Sequence, residues 1–590
     1  MLVSKSLLTA FLLVFLVSGF AFACTAHFGK AQNGTNVTGI ISLNTTWTKA
    51  NSPYTLTGPT AVAAGVTLTF ESGATVNLGN YYIQVNGTLV AIGSITDKIQ
   101  ISGGQINFTS VSNGWNEQTG SGNIIENVAF YSVEVSSSVA LKMTGCSGVT
   151  RSVDNGLMIT SAVTVNGSSI ILENTLFSVS IAGGSAVISN NDLSNLNING
   201  GSPLISNNTV GVISGSGGSP TISNNMIESI GGGYNNYEQA STYFGGNSAI
   251  ISNNTITGNI LLSGTSPVVS NNVIMGYIYG TNLLISDGYG APNSSYAQGG
   301  LVDNNPIFAF SGNGGTPIIT NNTLTGHQYN YTHQTFYGGL RGTTTDTLWT
   351  SGFVLDGNNL NLIISQNIIS NCSIGILDGA SGAGIIRDCS CDGIIISANP
   401  TLTIERSFIN NGIVDNGGSS LTIRNNTINS GGIQLQKSAT INFNNIQNYG
   451  QTSIYLTNTP NNVNATYNWW GTTEIQAINR TIHDFKNDFN LGVVTFTPVL
   501  VEPNPQALPN LNAPIPTPNP EPTLSSSPLP VQTPNASPSL SSSQNPTLSS
   551  QTWAQAIPET VLYVVITVLV ITVAALSIAV AVLLRRKSHH

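Results

Sequence analysis

Between residues 186 and 274, apolar and polar positions recur in one fixed order. The copies read AVISNNDL at Ala186, LISNNTV at Leu204, TISNNMI at Thr221, IISNNTI at Ile250 and VVSNNVI at Val268. The second Asn falls at Asn191, Asn208, Asn225, Asn254 and Asn272, so the first three copies are evenly spaced and the later gaps hold inserted residues. Further copies begin at Ile318, Ile363, Thr403, Thr422 and Thr440. A unit this short is one coil of a solenoid. In each copy an apolar residue lies two places before the first Asn and another two places after the second. That spacing predicts two short strands aiming side chains into one core, with a tight bend between them. Asn suits the bend because it tolerates the left-handed backbone region better than other non-glycine residues. Stacked coils would bring Asn191, Asn208, Asn225, Asn254, Asn272, Asn322 and Asn426 into a file whose amides satisfy one another. The expected fold is all-β, a parallel β-helix.

These Asn-cornered coils resemble the right-handed parallel β-helix of the pectate-lyase-like superfamily, and the right hand is implied by that resemblance. Residues 47–104, with GVTLTFESG at Gly65 and VNGTLV at Val85, resemble the opening coils of secreted β-helix proteins. A cap is expected there, since an open end exposes unpaired strand edges. Residues 464–500 carry NWWG at Asn468, Ile482 two places before Asp484, and VTFTP at Val494. They resemble a closing unit of archaeal and bacterial surface β-helix proteins. Ile482, Phe485 and Phe489 are expected to cap the last coil, and Trp469 and Trp470 to serve as core and lid. The array is therefore read as residues 47–500.

The flanks add an address. Residues 1–23 combine Lys5, an apolar run and the small-x-small site Ala21-Phe22-Ala23, the pattern of a secretory signal peptide. Residues 24–46 are read as a linker. Residues 501–552 are rich in Pro, Ser and Thr and are read as an extended stalk. Residues 561–584 form an unbroken apolar run, longer than the roughly 20 residues that span a bilayer. Arg585, Arg586 and Lys587 follow it and mark a cytoplasmic tail at 585–590. The segment 553–584, with Trp553 and Tyr563 at the outer interface, is expected to fasten the β-helix outside the cell membrane. This plan resembles archaeal envelope proteins with pectate-lyase-like repeats.

Composition narrows the function. Charged residues make up 7% of the chain and its net charge is −9, which excludes the clustered Lys and Arg that phosphate neutralisation needs, and so excludes nucleic acid. Five Cys in 590 residues are too few for a disulfide scaffold. Cys372 and Cys389 lie about one coil apart, open to either a disulfide or buried thiols in ladder positions.

Three insertions interrupt the array, at 228–248, 276–317 and 325–361. Each follows the strand after an Asn turn, so all three are expected to leave at the same corner. They hold Tyr237, Tyr289, Tyr329, Tyr331, Tyr337 and Trp349 among Asn, Gln and Thr. Such rings either stack on sugars or form a satellite core. Asp287, Asp303, Asp346 and Asp356 are scattered, and His327 and His333 match no metal-ligand spacing, so no catalytic residue, metal or cofactor is assigned. Arg387 and Arg406 are expected to pair with Asp388 and Glu405 across coils at the surface. Glycosylation sequons at Asn207, Asn253, Asn321 and Asn425 arise from the repeat itself, and their amides are expected to be used up in the ladder. The resulting expectation is a membrane-anchored surface protein with a structural, adhesive or glycan-binding role. The alternative is a membrane-tethered polysaccharide lyase or glycoside hydrolase.

Overall fold

In the computed structural model the described residues are 34–510, apart from 150, 153–157, 160, 232–243, 246–247, 265, 276–307, 327, 338–339, 350–352, 377–380 and 448–450. The predicted signal peptide, the stalk beyond residue 510 and the predicted transmembrane segment lie outside them. Among the described residues no helix is long and apolar enough to cross a membrane.

The fold is a solenoid of parallel β-strands. Coils such as Val187–Ser189 with Asp192–Asn199 have the two strands that the sequence pattern predicts, whereas in others the second strand divides to give three. In one coil these are Ile250–Ser252, then Thr255–Ile256 after the Asn pair, then Ile260–Ser263. The first strand pairs with the matching strand of the next coil residue for residue, Ile250 with Val268, Ile251 with Val269 and Ser252 with Ser270. The central residue points inward, so Ile188, Ile205, Ile222, Ile251, Val269, Ile319, Ile364, Ile386, Ile404, Ile423 and Ile441 form one buried file. Burying each such side chain stabilises by about 2 kcal/mol. The third strand escaped the sequence reading because its apolar residues, such as Phe308, Phe310 and Leu355, sit next to the insertions. Strands Phe308–Asn313 and Phe353–Asn358 pair with each other and lie in the stack, so the second and third insertions are shorter than predicted.

The insertions also leave the stack differently than expected. The second and third do depart from one corner, after Val273–Ile274 and Thr323–Thr325, strands that pair with each other. The first departs one corner later, inside the third strand, since Ile230 pairs with Ile260 and Phe244 with Leu262.

Both ends of the array also move. The column starts at Thr35–Ile41, which pairs in parallel with Tyr54–Val62, and not at residue 47. The strand TNVTGII is mostly solvent-facing, so it carries no strong apolar alternation to announce it. Trp47 stacks between Tyr54 and Phe70, at 4.8 and 4.9 Å between ring centres, and fills the base of the core.

At the other end Ile482 and Trp470 are buried, Trp470 with its edge toward Phe496. Phe485 and Phe489 do not cap the coil. They pack edge to face on each other and remain exposed, Phe489 at 80%. The closing loop is held instead by Asp484, which accepts from Lys486 Nζ at 2.8 Å and from the Val494 N–H at 3.0 Å.

Burial alone would push the Asp484 carboxyl up, but the Lys486 hydrogen bond, the Val494 N–H and the Lys486 charge outweigh it and hold it below the ordinary value. A depressed folded value gives stability that is present above the unfolded value of about 3.9 and is lost as pH falls through the folded one. Asp484→Asn is therefore expected to lower the melting temperature at pH 7, with the gap to the parent closing below about pH 4. A gap that stays constant between pH 7 and pH 3 would contradict this.

Residues 501–510, predicted as the start of the stalk, run back along the Asn corner instead. Pro498 O accepts from the Tyr467 N–H at 2.6 Å. Asn504 exchanges hydrogen bonds with Asn445, its N–H donating to Asn445 Oδ1 at 2.7 Å and its O accepting from Asn445 Nδ2 at 3.0 Å. Ala507 O accepts from Thr427 Oγ1 at 2.6 Å, and the Asn510 N–H donates to Asp388 Oδ1 at 3.0 Å. The strap thus descends from the coil of Tyr467 to that of Asp388. Its composition reads as linker because backbone and amide groups hold it, not apolar side chains.

Candidate functional site

The organising feature is the corner between first and second strands. Its first residue takes a left-handed backbone in coil after coil, with φ between 54° and 58° at Asn190, Asn207, Asn224, Asn253, Asn271 and Asn321. Its second residue turns inward and builds the ladder. Asn208 shows one rung: its N–H donates to Asn225 Oδ1 at 2.9 Å, and its Nδ2 reaches Ile188 O and Ser206 O at 2.9 Å and Asn225 Oδ1 at 3.0 Å. The same bonds link Asn174, Asn191, Asn208, Asn225, Asn254, Asn272, Asn322 and Asn367 in order, and again Asn426, Asn444 and Asn468. All seven Asn expected in the ladder stand in it.

Where the ladder lacks Asn, small polar groups substitute. The Cys146 N–H donates to Asn174 Oδ1 at 2.9 Å, the Cys389 N–H to Ser407 Oγ at 3.2 Å, and the Ser407 N–H to Asn426 Oδ1 at 2.9 Å. Cys389 is therefore a ladder residue, and the four described thiols, Cys146, Cys372, Cys389 and Cys391, are free. Burial pushes Cys146, Cys372 and Cys389 up to about 12 and raises Cys391 well above its ordinary value. Because the thiolate is the reactive form, these thiols are expected to ignore Ellman's reagent in the native protein and to react on unfolding. Rapid native-state labelling of any of them would contradict the burial.

The sequons at the corner fall on the other residue of the pair. Asn207, Asn253 and Asn321 are the outward ones and are exposed, which overturns the expectation that their amides are used up in the ladder. Only the even alternation of side chains around the bend separates the two roles, and two identical residues in sequence do not reveal it.

Farther along the same corner Asp388 and Arg406 occupy outward positions, with φ of 54° and 46°. Asp388 is fully buried, not at the surface as expected. Arg406 Nε and Nη2 grip its two oxygens at 2.9 and 2.8 Å, and the strap closes over it. Arg406 Nη1 also donates to Glu405 Oε1 at 2.9 Å, and Arg424 donates to Glu405 Oε2 at 2.8 Å. The hydrogen bond to Asp388, against some burial, raises the Arg406 guanidinium above its ordinary value. The Arg406 and Arg424 guanidinium groups thus tie Asp388 and Glu405 together across neighbouring coils.

Tyr237 and Tyr289 lie outside the described residues, as do Asp287, Asp303 and His327. The third insertion forms an antiparallel ribbon, Gln328–Tyr337 with Leu340–Trp349. Its register pairs Tyr329 with Leu348, Tyr331 with Asp346, His333 with Thr344 and Tyr337 with Leu340. Tyr329, Tyr331, Tyr337 and Trp349 are thereby brought onto one two-stranded ribbon. Among the described residues no cluster of three or more His, Cys, Asp or Glu is placed to hold a metal.

No protein-family model, curated protein or solved structure matches this chain. The case for function therefore rests on its own geometry. What that geometry offers is a continuous column of amide-linked coils, an antiparallel ribbon standing off one corner, and a strap that locks the last coils.

Proposed function

We propose that this chain is a cell-surface column, anchored by its C-terminal apolar segment, that serves a structural or adhesive role and presents the ribbon at 328–349 to glycans of the cell envelope. The reading takes the solenoid as right-handed and pectate-lyase-like, of the archaeal envelope kind. Parallel crossover connections are right-handed in nearly all folds. The observation that carries it is the ladder. Amides bonded coil to coil make a stiff scaffold, and a stiff scaffold that displays a side insertion is suited to holding a binding face away from its anchor. Tyr329, Tyr331 and Tyr337 on one strand of the ribbon are residues of the kind whose flat rings sugars stack on.

On intact cells the full chain should be labelled by an impermeant biotin reagent. The binding test uses the chain truncated after residue 518, which includes the whole compact unit. A glycan array should show retention that is lost in Tyr329→Ala/Tyr331→Ala/Tyr337→Ala, while the unfolding transition of the column stays put. Release of reducing ends from a bound polysaccharide would favour the lyase or hydrolase reading instead. Neither retention nor release would remove the glycan-binding arm and leave a column alone.

A further inference from the structure

The outward residues of the Asn corner form a file along one edge of the column, and the sequon hydroxyl alternates along it. In coil order the corner tripeptides are Asn207-Asn208-Thr209, Asn224-Asn225-Met226, Asn253-Asn254-Thr255, Asn271-Asn272-Val273 and Asn321-Asn322-Thr323. The hydroxyl positions are in register, Thr209 beside Met226, Met226 beside Thr255, Thr255 beside Val273 and Val273 beside Thr323. Every second coil therefore carries a complete acceptor sequon, with neighbouring acceptors about 10 Å apart, two strand spacings.

The acceptor groups are also available. Asn207, Asn253 and Asn321 are exposed, because the inward amide of each pair is the one that bonds to the ladder. Thr209 and Thr323 are exposed and Thr255 half-buried. Asn321 Nδ2 donates to Asn271 Oδ1 at 2.6 Å, a solvent-exposed contact that water can replace. The fold supplies its own contrast in Asn425-Asn426-Thr427, the same three residues in the same corner. There Asn504 of the strap donates to Asn425 Oδ1 at 3.0 Å, and Thr427 is buried with its hydroxyl bonded to Ala507 O.

We propose that Asn207, Asn253 and Asn321 carry N-linked glycans, set as a row along the corner at every second coil, and that Asn425 is kept bare by the strap. The donor is a glycan linked to a polyprenyl phosphate or pyrophosphate, brought by a membrane oligosaccharyltransferase. The bond formed joins the anomeric carbon to Asn Nδ2, and the bond broken joins that carbon to the lipid phosphate, whose oxygen leaves with the electron pair. The amide proton passes to a base of the transferase. Exposed apolar side chains flank the row on both sides, Leu204 and Ile250 at 43%, Met226 at 58% and Val273 at 42%. A glycan at every second coil would cover these strips and keep columns from associating side by side. The inference rests on the reading that the column lies outside the cytoplasm, where such donors are used.

The test is glycopeptide mass spectrometry, with peptic digestion and electron-transfer fragmentation, on the full chain purified from the cells that make it. Glycan mass is expected on peptides holding Asn207, Asn253 and Asn321, and none on those holding Asn224, Asn271 or Asn425. Thr209→Ala should remove the glycan at Asn207. Met226→Thr, which copies its neighbours Thr209 and Thr255, should create one at Asn224. Both changes are on the exposed face and leave the core untouched. Bare Asn207, Asn253 and Asn321 in protein that carries glycan at the exposed sequons Asn36 or Asn166 would overturn the proposal while leaving the surface reading standing. Full occupancy of Asn425 would overturn the role given to the strap. A chain bare at every sequon would sink the proposal, and biotin labelling of intact cells then tells whether the surface reading falls with it.

Discussion

Asn225→Ala is expected to cost the column about 4 kcal/mol, a large effect for one small polar side chain. The loss takes the acceptor from the Asn208 N–H and Nδ2, and the donor from Ile205 O and Ser223 O, in bonds that are buried or part-buried between coils. Each buried group left unsatisfied costs about 1–3 kcal/mol, and no neighbour can move in because the coils are fixed by their strand pairing. The adjacent Asn224 has the same chemistry and a different job. It is exposed at φ 58°, so Asn224→Gly should be nearly silent and Asn224→Ala should cost about 1 kcal/mol through backbone strain alone. The comparison is read from thermal unfolding together with hydrogen exchange at residues 205–256, since a solenoid can open locally. Equal effects at Asn224 and Asn225 would contradict the division of labour at the corner.

The second large effect is expected at Arg406. Arg406→Ala takes both guanidinium hydrogen bonds from the buried Asp388 and leaves it the Asn510 N–H and the Arg387 guanidinium at 3.9 Å, and breaking a buried pair from one side costs about 3–5 kcal/mol. Asp388→Asn should cost less, because it removes the charge that needs compensation, and adding it to Arg406→Ala should recover part of the loss. The strap gives this prediction a second readout. Asn510 is held by Asp388, so protease cleavage near residue 510 should accelerate in Arg406→Ala. An Arg406→Ala protein as stable as the parent, or a double variant worse than either single one, would contradict the account.

The repeat was the legible part of this molecule. Apolar residues two places either side of the Asn pair located the inward file and the ladder, and Asn322 and Asn426 were placed correctly across long interruptions. The left-handed corner, however, does not depend on Asn alone. Among non-glycine residues Asn tolerates the left-handed turn best, yet Glu173, Gln366, Asp388, Arg406, Phe443 and Tyr467 hold the same position at φ between 46° and 60°. The ladder residue that follows the corner, bonded above and below, imposes the turn even on Phe443 and Tyr467, whose rings stack at 5.7 Å. Local propensity therefore marks the corner where it is present and is overruled where it is absent.

The third strand, the strap and the outward direction of the sequon Asn share one reason for being missed. Each depends on which coils lie next to one another in space, over separations such as the 122 residues between Asp388 and Asn510. Of the three residues expected to cap the last coil, Ile482 is buried, whereas Phe485 and Phe489 are exposed.

The central claim is that residues far apart in sequence climb one column at a fixed rise per coil. Spin labels on the outward face of the first strands test it directly, because Leu204 connects by strand register through Thr221, Ile250, Val268, Ile318, Ile363, Ile385, Thr403 and Thr422 to Thr440. Electron–electron resonance between labels at Leu204 and Thr403 should give about 34 Å, and between Leu204 and Thr440 about 43 Å, each narrow and in proportion to the strand spacings crossed. Broad distributions, or distances that do not grow with the number of coils, would show that the amide-cornered coils are not stacked.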